Sequence, residues 1–436
     1  MFLRILQHAD APRWNYVVGD RVEAGDLPSL EAYRERTAGG TEGRTPSGGM
    51  IEWVLAMASR VPLFARALPE GADLEAEWHR VAACRREDLV TEPEAFLPDD
   101  ADLERLIVYD TSGTTGHAMV VPHHPRAMAL NQSLLEEALR RHGVSVPMGP
   151  ERVACINLGC QESQTVLFAN VFAIWGEAGF AKVNLKGREW RAVDSARRFF
   201  ADLAPGFLTG DPLGFAQALR WEIPPGAEAL VSTATALSEA DRSRLVTAYG
   251  CPVIDWYSTT ETGPIACSCP EGEGLHLLAP DLFVEAVDEA GHPVPPGEAG
   301  EITVTGGRNP YVPLLRYRTG DRGRIETVPC SCGSAAPRIL GLDGRRVSLF
   351  RLADNTVVNV VDLGWIFRAF PIVQHACRQR ADGSFDMAVR PAPSSLVDLK
   401  CLEARLRELL GDTPLDLRID RTLGGDGRRV VAYSKE

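Results

Sequence analysis

Strand-length apolar segments alternate with amphipathic helical segments through the middle of the chain. The apolar segments of strand length lie at residues 153–158, 180–185, 207–210, 229–233 and 252–257. Apolar residues spaced three and four apart predict helices over 128–142, 164–175, 190–203, 212–220 and 238–249. Ser238 suits the start of the last helix, because its hydroxyl can accept a hydrogen bond from a nearby backbone N–H. This alternation predicts an α/β core with mostly parallel strands.

The N-terminal part of the chain has a helical pattern that is interrupted. Apolar residues keep helical spacing over 51–68, but Pro62 lies inside the pattern and predicts either a kink or two short helices. A further helix is expected over 74–84.

The C-terminal part of the chain changes character after Cys267. Apolar and polar residues alternate there between Pro/Gly turns, which predicts a β-rich subdomain over 267–341. We expect a large N-terminal domain at 1–341, with residues 1–75 hard to assign. A small C-terminal α+β domain is expected at 342–436.

A loop rich in Gly, Ser and Thr connects two apolar segments, 106–108 and 119–121. Glycine lets the backbone approach an anion closely, and successive N–H groups with hydroxyls can hold it. The loop is therefore a candidate phosphate site, although it lacks the Gly-Lys-Ser/Thr ending of a P-loop. The alternative is a polar surface turn. The loop residues are Thr111, Ser112, Gly113, Thr114, Thr115 and Gly116.

Composition and charge indicate a globular protein and argue against several other classes of protein. The chain has 436 residues, 45% hydrophobic and 24% charged, as expected of a globular protein with more than one domain. Its net charge of −13 argues against nucleic acid or an anionic membrane as the main partner. It contains no apolar run long enough for a membrane helix, and we expect a cytoplasmic protein without a signal peptide. Its ten cysteines are then thiols or metal ligands.

Three motifs in a fixed order identify a family resemblance. They read YDTSGTTG at 109–116, YSTTETG at 257–263 and YRTGD at 317–321. Together they closely resemble the signatures of the adenylate-forming (AMP-binding) superfamily of acyl-CoA synthetases. The Cys-x-Cys-Gly segment at 330–333, followed by PRILG, is most similar to the phenylacetate–CoA ligase branch. The resemblance covers residues 80–345 and implies a multi-subdomain α/β fold whose small C-terminal domain is a mobile lid.

The resemblance implies ATP, Mg²⁺ and coenzyme A as cofactors, and a role for each motif. Glu261 matches the magnesium-binding glutamate, Thr260 a contact to the α-phosphate, and Asp321 the carboxylate that binds the ribose hydroxyls. Tyr257 is expected to stack on the adenine. The loop at 111–116 is expected to hold the β- and γ-phosphates while pyrophosphate leaves. Further nucleotide contacts are expected from Ser232, Thr233, Ala234, Ser258 and Arg338.

The acyl pocket is harder to assign. By the same resemblance, residues 159–173 and 232–237 line it, and the substrate is a small carboxylic acid, expected to be aromatic. Gln161, Phe168 and Trp256 are candidates for its wall, although aromatic residues also serve as core residues. His123 and His124 lie near the phosphate loop, where either could contact substrate or simply face solvent.

Two departures from the family pattern keep alternatives open. The usual C-terminal lysine is absent, and Arg428 is the nearest match; an arginine could also place positive charge at the α-phosphate. The hinge at 344–348 lacks the usual pair of acidic residues. The acceptor could therefore be an amine or a carrier-protein thiol instead of coenzyme A. A degenerate nucleotide-binding protein is a further alternative, and a homodimer is compatible with each of these readings.

The cysteines cluster after two of the motifs. Two Cys-x-Cys pairs flank a histidine, and zinc favours four Cys/His ligands in structural sites. Such a site would hold together two loops that carry nucleotide contacts, whereas the alternative is a set of free thiols. The expected ligands are one or both of Cys267 and Cys269, with His276, Cys330 and Cys332.

Overall fold

The structure is a computed structural model of the 436-residue chain. It describes residues 5, 8–11, 15–17, 20–38, 48–110, 119–160, 167–185, 190–272, 274–278, 281–343, 349–354, 356–392, 395–423 and 433–435. The chain forms two compact units. The first comprises Met1–Val108, Pro122–Cys160 and Gln164–Arg345, and the second comprises Tyr109–Val121, Gln161–Ser163 and Arg346–Glu436.

Helices and strands alternate through most of the described residues. The helices are α1 (Leu27–Ala38), α2 (Gly48–Ala58), α3 (Pro62–Ala67), α4 (Arg86–Thr91), α5 (Pro125–Arg141), α6 (Val193–Leu203), α7 (Pro212–Arg220), α8 (Glu239–Tyr249), α9 (Val360–Arg368) and α10 (Leu399–Leu410). The first strands are β1 (Asn15–Val17), β2 (Ile107–Asp110), β3 (Val120–His123), β4 (Val153–Gly159), β5 (Leu167–Phe172), β6 (Ala178–Asn184), β7 (Phe207–Gly210), β8 (Ala229–Ser232) and β9 (Val253–Thr259). They are followed by β10 (Gly263–Ser268), β11 (Leu275–Leu277), β12 (Leu282–Val287), β13 (Ala299–Gly306), β14 (Leu314–Glu326) and β15 (Arg338–Asp343). The last strands are β16 (Leu349–Arg351), β17 (Val357–Asn359), β18 (Ile372–Gln379), β19 (Phe385–Pro391), β20 (Leu415–Ile419) and β21 (Tyr433–Lys435). Among the described residues, no helix has the length and apolar character needed to cross a membrane.

The first unit is built on a 13-stranded sheet with the order β1-β5-β6-β4-β7-β8-β9-β10-β11-β15-β14-β13-β12. From β6 to β9 the neighbouring strands are parallel, whereas β9 to β12 pair antiparallel. The predicted α/β class is confirmed. The antiparallel half corresponds to the β-rich segment predicted after Cys267.

Both faces of the parallel half are covered, as parallel sheets require. On one face Ile156 and Leu158 of β4 pack with Phe199 of α6 and Phe215 of α7. The opposite face packs under α5 and α1, through residues such as Leu134. Because the strands are parallel, their carboxyl ends lie at one edge, which is where open α/β sheets bind ligands.

Several predicted helices are confirmed. The helical pattern over 51–68 divides into α2 and α3, and α3 begins at Pro62. Ser238 caps α8, because its hydroxyl accepts a hydrogen bond from the backbone N–H of Asp241 at 3.1 Å. The strands on either side of the phosphate loop, β2 and β3, form a two-stranded sheet.

Two predicted helices are wrong. Residues 164–175 include strand β5, which pairs antiparallel with β6, and a single 3₁₀ turn at Ala173–Trp175. Residues 74–84 contain only a 3₁₀ turn at Trp78–Arg80. The backbone carbonyls there are used elsewhere: the guanidinium of Arg316 donates to two of them, and the Arg318 N–H donates to the carbonyl of Cys84. Tertiary contacts therefore override the local helical pattern.

The second unit contains a four-stranded sheet with the order β20-β19-β18-β21 and the two-stranded pair β16–β17. Helices α9 and α10 supply apolar residues to its core, where Leu363 and Leu406 are fully buried with Phe350 and Phe385. This unit therefore has a hydrophobic core of its own.

Candidate active site

The carboxyl ends of neighbouring strands bring together residues of the second motif and of the segment at 232–234. Ser232 ends β8, and Ser258 lies near the end of β9, its parallel neighbour. The Thr233 N–H donates to the carbonyl of Gly210 at 2.9 Å, and the Thr233 and Ser258 hydroxyls lie 3.4 Å apart. Ala234 follows with a φ of 71°, a left-handed conformation that turns the chain sharply. A compact group of hydroxyls and backbone amides therefore lies at this edge.

The second and third motifs are joined by a buried hydrogen bond. The Tyr257 hydroxyl donates to Oδ2 of Asp321 at 3.0 Å and lies 3.3 Å from the Thr319 hydroxyl. The Thr319 hydroxyl also accepts from the Asp321 N–H at 3.2 Å and donates to the carbonyl of Ile302 at 2.9 Å. Tyr257, expected from the resemblance to stack on adenine, here orients the carboxylate expected to bind ribose.

Glu261 is almost completely buried, with 2% of its surface exposed. Its Oε1 accepts a hydrogen bond from the Tyr317 hydroxyl at 2.6 Å. Burial, followed by the negative charge of Glu261, raises the pKa of Tyr317 well above its ordinary value, so the phenol stays a donor. Arg86 at the start of α4 acts on Tyr317 in the opposite direction, which places a buried positive charge nearby. A buried carboxylate with one oxygen fixed by a neutral donor suits a hard cation that also binds phosphates.

His123 lies against the same motif. It is buried, hydrogen-bonds to the backbone of Thr260, and its Nδ1 is 3.4 Å from Nδ2 of Asn309. Burial lowers the pKa of His123 to about 4, so the imidazole is neutral at neutral pH. The surface role left open for His123 is therefore excluded, whereas His124 caps α5 through a hydrogen bond from the Arg126 N–H at 3.1 Å.

Arg308 stabilises the turn after Glu261, and sequence reasoning missed it. Its guanidinium donates to the carbonyls of Pro264 at 2.6 Å and Thr262 at 3.3 Å, and pairs with Asp281 at 2.8 Å. Gly263 has a φ of 69°, and a Cβ there would lie 2.9 Å from a side-chain oxygen of Asn131. The turn is therefore fixed by backbone contacts and tight packing. Arg308 lies outside the three motifs at 109–116, 257–263 and 317–321, and no local pattern in the sequence indicates its role.

A group of four potential metal ligands lies beside the antiparallel part of the sheet: Cys269, His276, Cys330 and Cys332. Their ligand atoms all lie within 4.8 Å of one another. The Cys269 and Cys330 sulfurs are 3.6 Å apart, and His276 Nε2 is 3.3 Å from the Cys332 sulfur. Tetrahedral zinc with 2.3 Å bonds would separate two sulfurs by about 3.8 Å, so the donor set fits zinc. His276 Nδ1 is 3.1 Å from the carbonyl of Ala336, which orients Nε2 toward the sulfurs.

The surroundings of two expected site residues, Cys267 and Arg338, bear on their predicted roles. Cys267 is absent from the four-residue group and lies in the core that packs under α5. Cys269 alone of the first pair reaches the other ligands, since it follows the end of β10. Arg338 donates to the Cys330 sulfur at 3.3 Å, and its expected nucleotide contact stays a prediction. Its buried charge therefore lies beside the cysteine group.

Other expected site residues lie outside the described residues. They are the loop residues 111–116, Gln161, the hinge at 344–348 and Arg428. Their roles stay predictions.

Comparisons with known proteins agree with the arrangement of motifs. The model of the AMP-binding enzyme family matches residues 57–309. The acetyl-coenzyme A synthetase of Wolinella succinogenes is 35% identical over 83 residues, which cover 18% of this chain and 12% of that protein. The phenylacetate-coenzyme A ligase of Thermus thermophilus is 31% identical over 112 residues, which cover 25% of each chain. The matched segments thus span a quarter or less of these curated relatives.

Solved structures show the same fold. A crystal structure of 2-hydroxyisobutyryl-CoA ligase, in complex with 2-HIB-AMP and CoA, superposes with a TM-score of 0.57 at 16% identity. The superposition covers 95% of this chain and 91% of the chain of that ligase. The same ligase in its postadenylation state gives a TM-score of 0.52 at 15% identity and covers 94% and 90% of the two chains. With its ordered motifs, its fold and a family match across more than half of its length, the chain belongs to the AMP-binding enzyme family.

Proposed function

We propose that this protein activates a small carboxylic acid with ATP and Mg²⁺ as an acyl-adenylate and transfers the acyl group to coenzyme A. An aromatic acid is the expected substrate. The observation that carries the proposal is the pair of buried phenol–carboxylate contacts, Tyr257 with Asp321 and Tyr317 with Glu261. Each contact joins a residue of the second motif to one of the third. Two carboxylates of distinct expected roles are thereby held rigidly in one unit.

The chain's own residues account for binding and orientation. Asp321 would accept hydrogen bonds from the ribose hydroxyls, and Tyr257 fixes the rotamer in which it does so. Glu261 would hold the metal through its second oxygen, since Tyr317 occupies Oε1. When bound, Mg²⁺ would neutralise phosphate charge and favour departure of pyrophosphate. Thr260 and Arg428 would contact the α-phosphate, and the loop at 111–116 would hold the pyrophosphate.

The cysteine group would serve as a structural zinc site within the same unit. Cys269 follows β10, and Cys330 and Cys332 follow β14, the strand that carries Asp321. A zinc ion bound to Cys269, His276, Cys330 and Cys332 would therefore fix the spacing of these two strands. This role needs no open coordination position.

Product analysis tests which molecule accepts the acyl group from the acyl-adenylate. Purified protein is incubated with ATP, Mg²⁺ and a panel of carboxylic acids, with and without coenzyme A. The proposal predicts AMP and an acyl-CoA thioester, both dependent on one class of acid. AMP formation that is unaffected by coenzyme A, and that instead requires an amine or a carrier-protein thiol, would replace the acceptor while keeping adenylation.

A further inference from the structure

One row of side chains in the parallel sheet differs from its surroundings. Strands β4 and β7 are buried at every position except Asn157 and Thr209, respectively, which are partly exposed. Lys182 of β6 is partly exposed as well. Asn157 is the register partner of Lys182 on one side and of Thr209 on the other. The three side chains therefore lie next to one another on the same face of the sheet.

The row lies where the packed core of that face ends. Two residues earlier on the same strands, Cys155, Phe180 and Phe207 belong to the apolar core under α5. The row is thus displaced toward the carboxyl ends, where the Gly210 carbonyl already contacts Thr233 of the candidate nucleotide site. Three strand spacings separate β6 from β8, or roughly 14 Å. Lys182 therefore stands at the far end of a polar row that leads away from the site of the proposed chemistry.

The ammonium of Lys182 has no hydrogen-bond or ion-pair partner among the described residues. Asp211 attracts it through space, but that carboxylate is engaged in capping α7, where it accepts from the Gly214 N–H at 2.6 Å. Burial lowers the pKa of Lys182 from its ordinary value, and the charge of Asp211 opposes this effect. The neighbouring Asn157 donates to the Thr209 hydroxyl at 2.8 Å, and neither of these side chains carries a charge that could neutralise the ammonium. Only four of the 46 basic residues in the sequence are lysines, and the others are arginines. A lysine at position 182 is therefore unusual for this chain.

A partly buried cation whose three N–H donors have no partner in the part of the chain that the structure describes is matched best by an anion. A hydrocarbon tail against Lys182 would remove water from the ammonium without replacing its hydrogen bonds, which is costly. A carboxylate would supply both the charge and the acceptors.

We propose that the Lys182–Asn157–Thr209 row binds the far end of the acyl substrate, and that the acid which this enzyme activates carries a second carboxylate. This inference rests on the proposed adenylating function and narrows its substrate class. An aromatic ring between the two carboxylates is compatible with it. Lys182 is then a specificity-determining residue that pairs with the distal carboxylate.

The test is ATP–pyrophosphate exchange with matched acids. Each α,ω-dicarboxylic acid of four to eight carbons is compared with the monocarboxylic acid of the same carbon number, and phenylacetate with carboxyphenylacetate. The wild-type enzyme is expected to prefer one diacid over its partner by about tenfold or more in kcat/KM. Lys182→Met should abolish that preference by lowering the diacid rate while leaving the monoacid rate within about threefold. Lys182→Arg should keep the preference, and Lys400→Met, at an exposed lysine, should match wild type.

The possible results distinguish a failure of the dicarboxylate proposal from a failure of the adenylating function on which it rests. Exchange with monoacids at rates equal to or above those of every diacid overturns the inference and leaves adenylation standing. So does a Lys182→Met variant, folded by circular dichroism, that lowers both acids of a pair equally. The wild-type panel decides the question by itself if the variant fails to fold. No exchange with any acid would overturn both.

Discussion

Removing one hydroxyl, in a Tyr317→Phe variant, is the sharpest perturbation of the candidate site. The phenol donates to Glu261 Oε1 over 2.6 Å, and both side chains are almost fully buried. A hydrogen bond to a charged acceptor contributes about 1.5–3 kcal/mol, and a buried carboxylate that loses its donor retains its desolvation penalty. We therefore expect the free energy of unfolding of the unliganded protein to fall by about 1.5–3 kcal/mol.

The same loss should appear in function, because Glu261 would no longer be held in one orientation for the metal. A loss of this size in transition-state stabilisation corresponds to a roughly 10- to 150-fold decrease in kcat/KM for ATP–pyrophosphate exchange. A higher Mg²⁺ concentration should also be needed for half-maximal ATP binding. Equilibrium urea unfolding gives the first quantity, and calorimetric titration of ATP at several Mg²⁺ concentrations gives the last.

Tyr249→Phe provides a matched control. Its hydroxyl is buried in the core under α8 and has no hydrogen-bond partner among the described residues. Removing it should leave stability and exchange within about 0.5 kcal/mol of wild type, or raise stability slightly. A Tyr317→Phe variant that behaves like this control, or an equal loss of stability in both variants, would contradict the role given to the Tyr317 hydroxyl.

Three further predictions concern the metal site, a buried ion pair and the C-terminal arginine. Purified protein should contain about one zinc per chain by elemental analysis. The Cys330→Ser variant should lose this zinc, and the Cys267→Ser variant should keep it. Clearly less than one equivalent of zinc in the wild-type protein would contradict the site. Arg316→Met should lower the free energy of unfolding by about 3–5 kcal/mol in urea, because Glu285 stays buried without its 2.9 Å partner; a loss below about 1 kcal/mol would show that the pair is dispensable. Arg428→Ala should slow adenylation at least tenfold in exchange assays, and undiminished exchange would remove this arginine from the proposed site.

The sequence predicts the parallel strands well because each is a short, mainly apolar segment, interrupted by few polar residues such as Asn157, Lys182 and Thr209. Both faces of β4 and β7–β9 are covered, so the apolar composition of these segments is enough to predict that they are buried. The helix expected over 164–175 fails for the same reason: a short apolar segment does not distinguish a buried helix from a strand, and pairing with β6 decides it. The 74–84 segment fails because its carbonyls bond to Arg316, which is distant in sequence.

The sequence predicts the motif residues of the candidate site, but it does not predict the contacts that hold them. Residues of the ordered motifs, such as Glu261 and Asp321, lie in one unit with the contacts described above. The phenols that hold them could not be paired from sequence, because Tyr257–Asp321 and Tyr317–Glu261 each cross more than fifty residues. The sequence leaves Cys267 and Cys269 as alternative zinc ligands, because spacing alone cannot distinguish a core cysteine from a ligand two residues away.

ATP–pyrophosphate exchange with purified protein is the decisive assay for adenylation, since it reports formation of the acyl-adenylate whatever the final acceptor is. Radiolabelled pyrophosphate is supplied with ATP, Mg²⁺ and a broad panel of mono- and dicarboxylic acids. We expect acid-dependent incorporation of label into ATP, with a strong decrease in Tyr317→Phe. Binding of ATP without acid-dependent exchange across the whole panel would contradict it and would favour a nucleotide-binding protein that has lost catalysis.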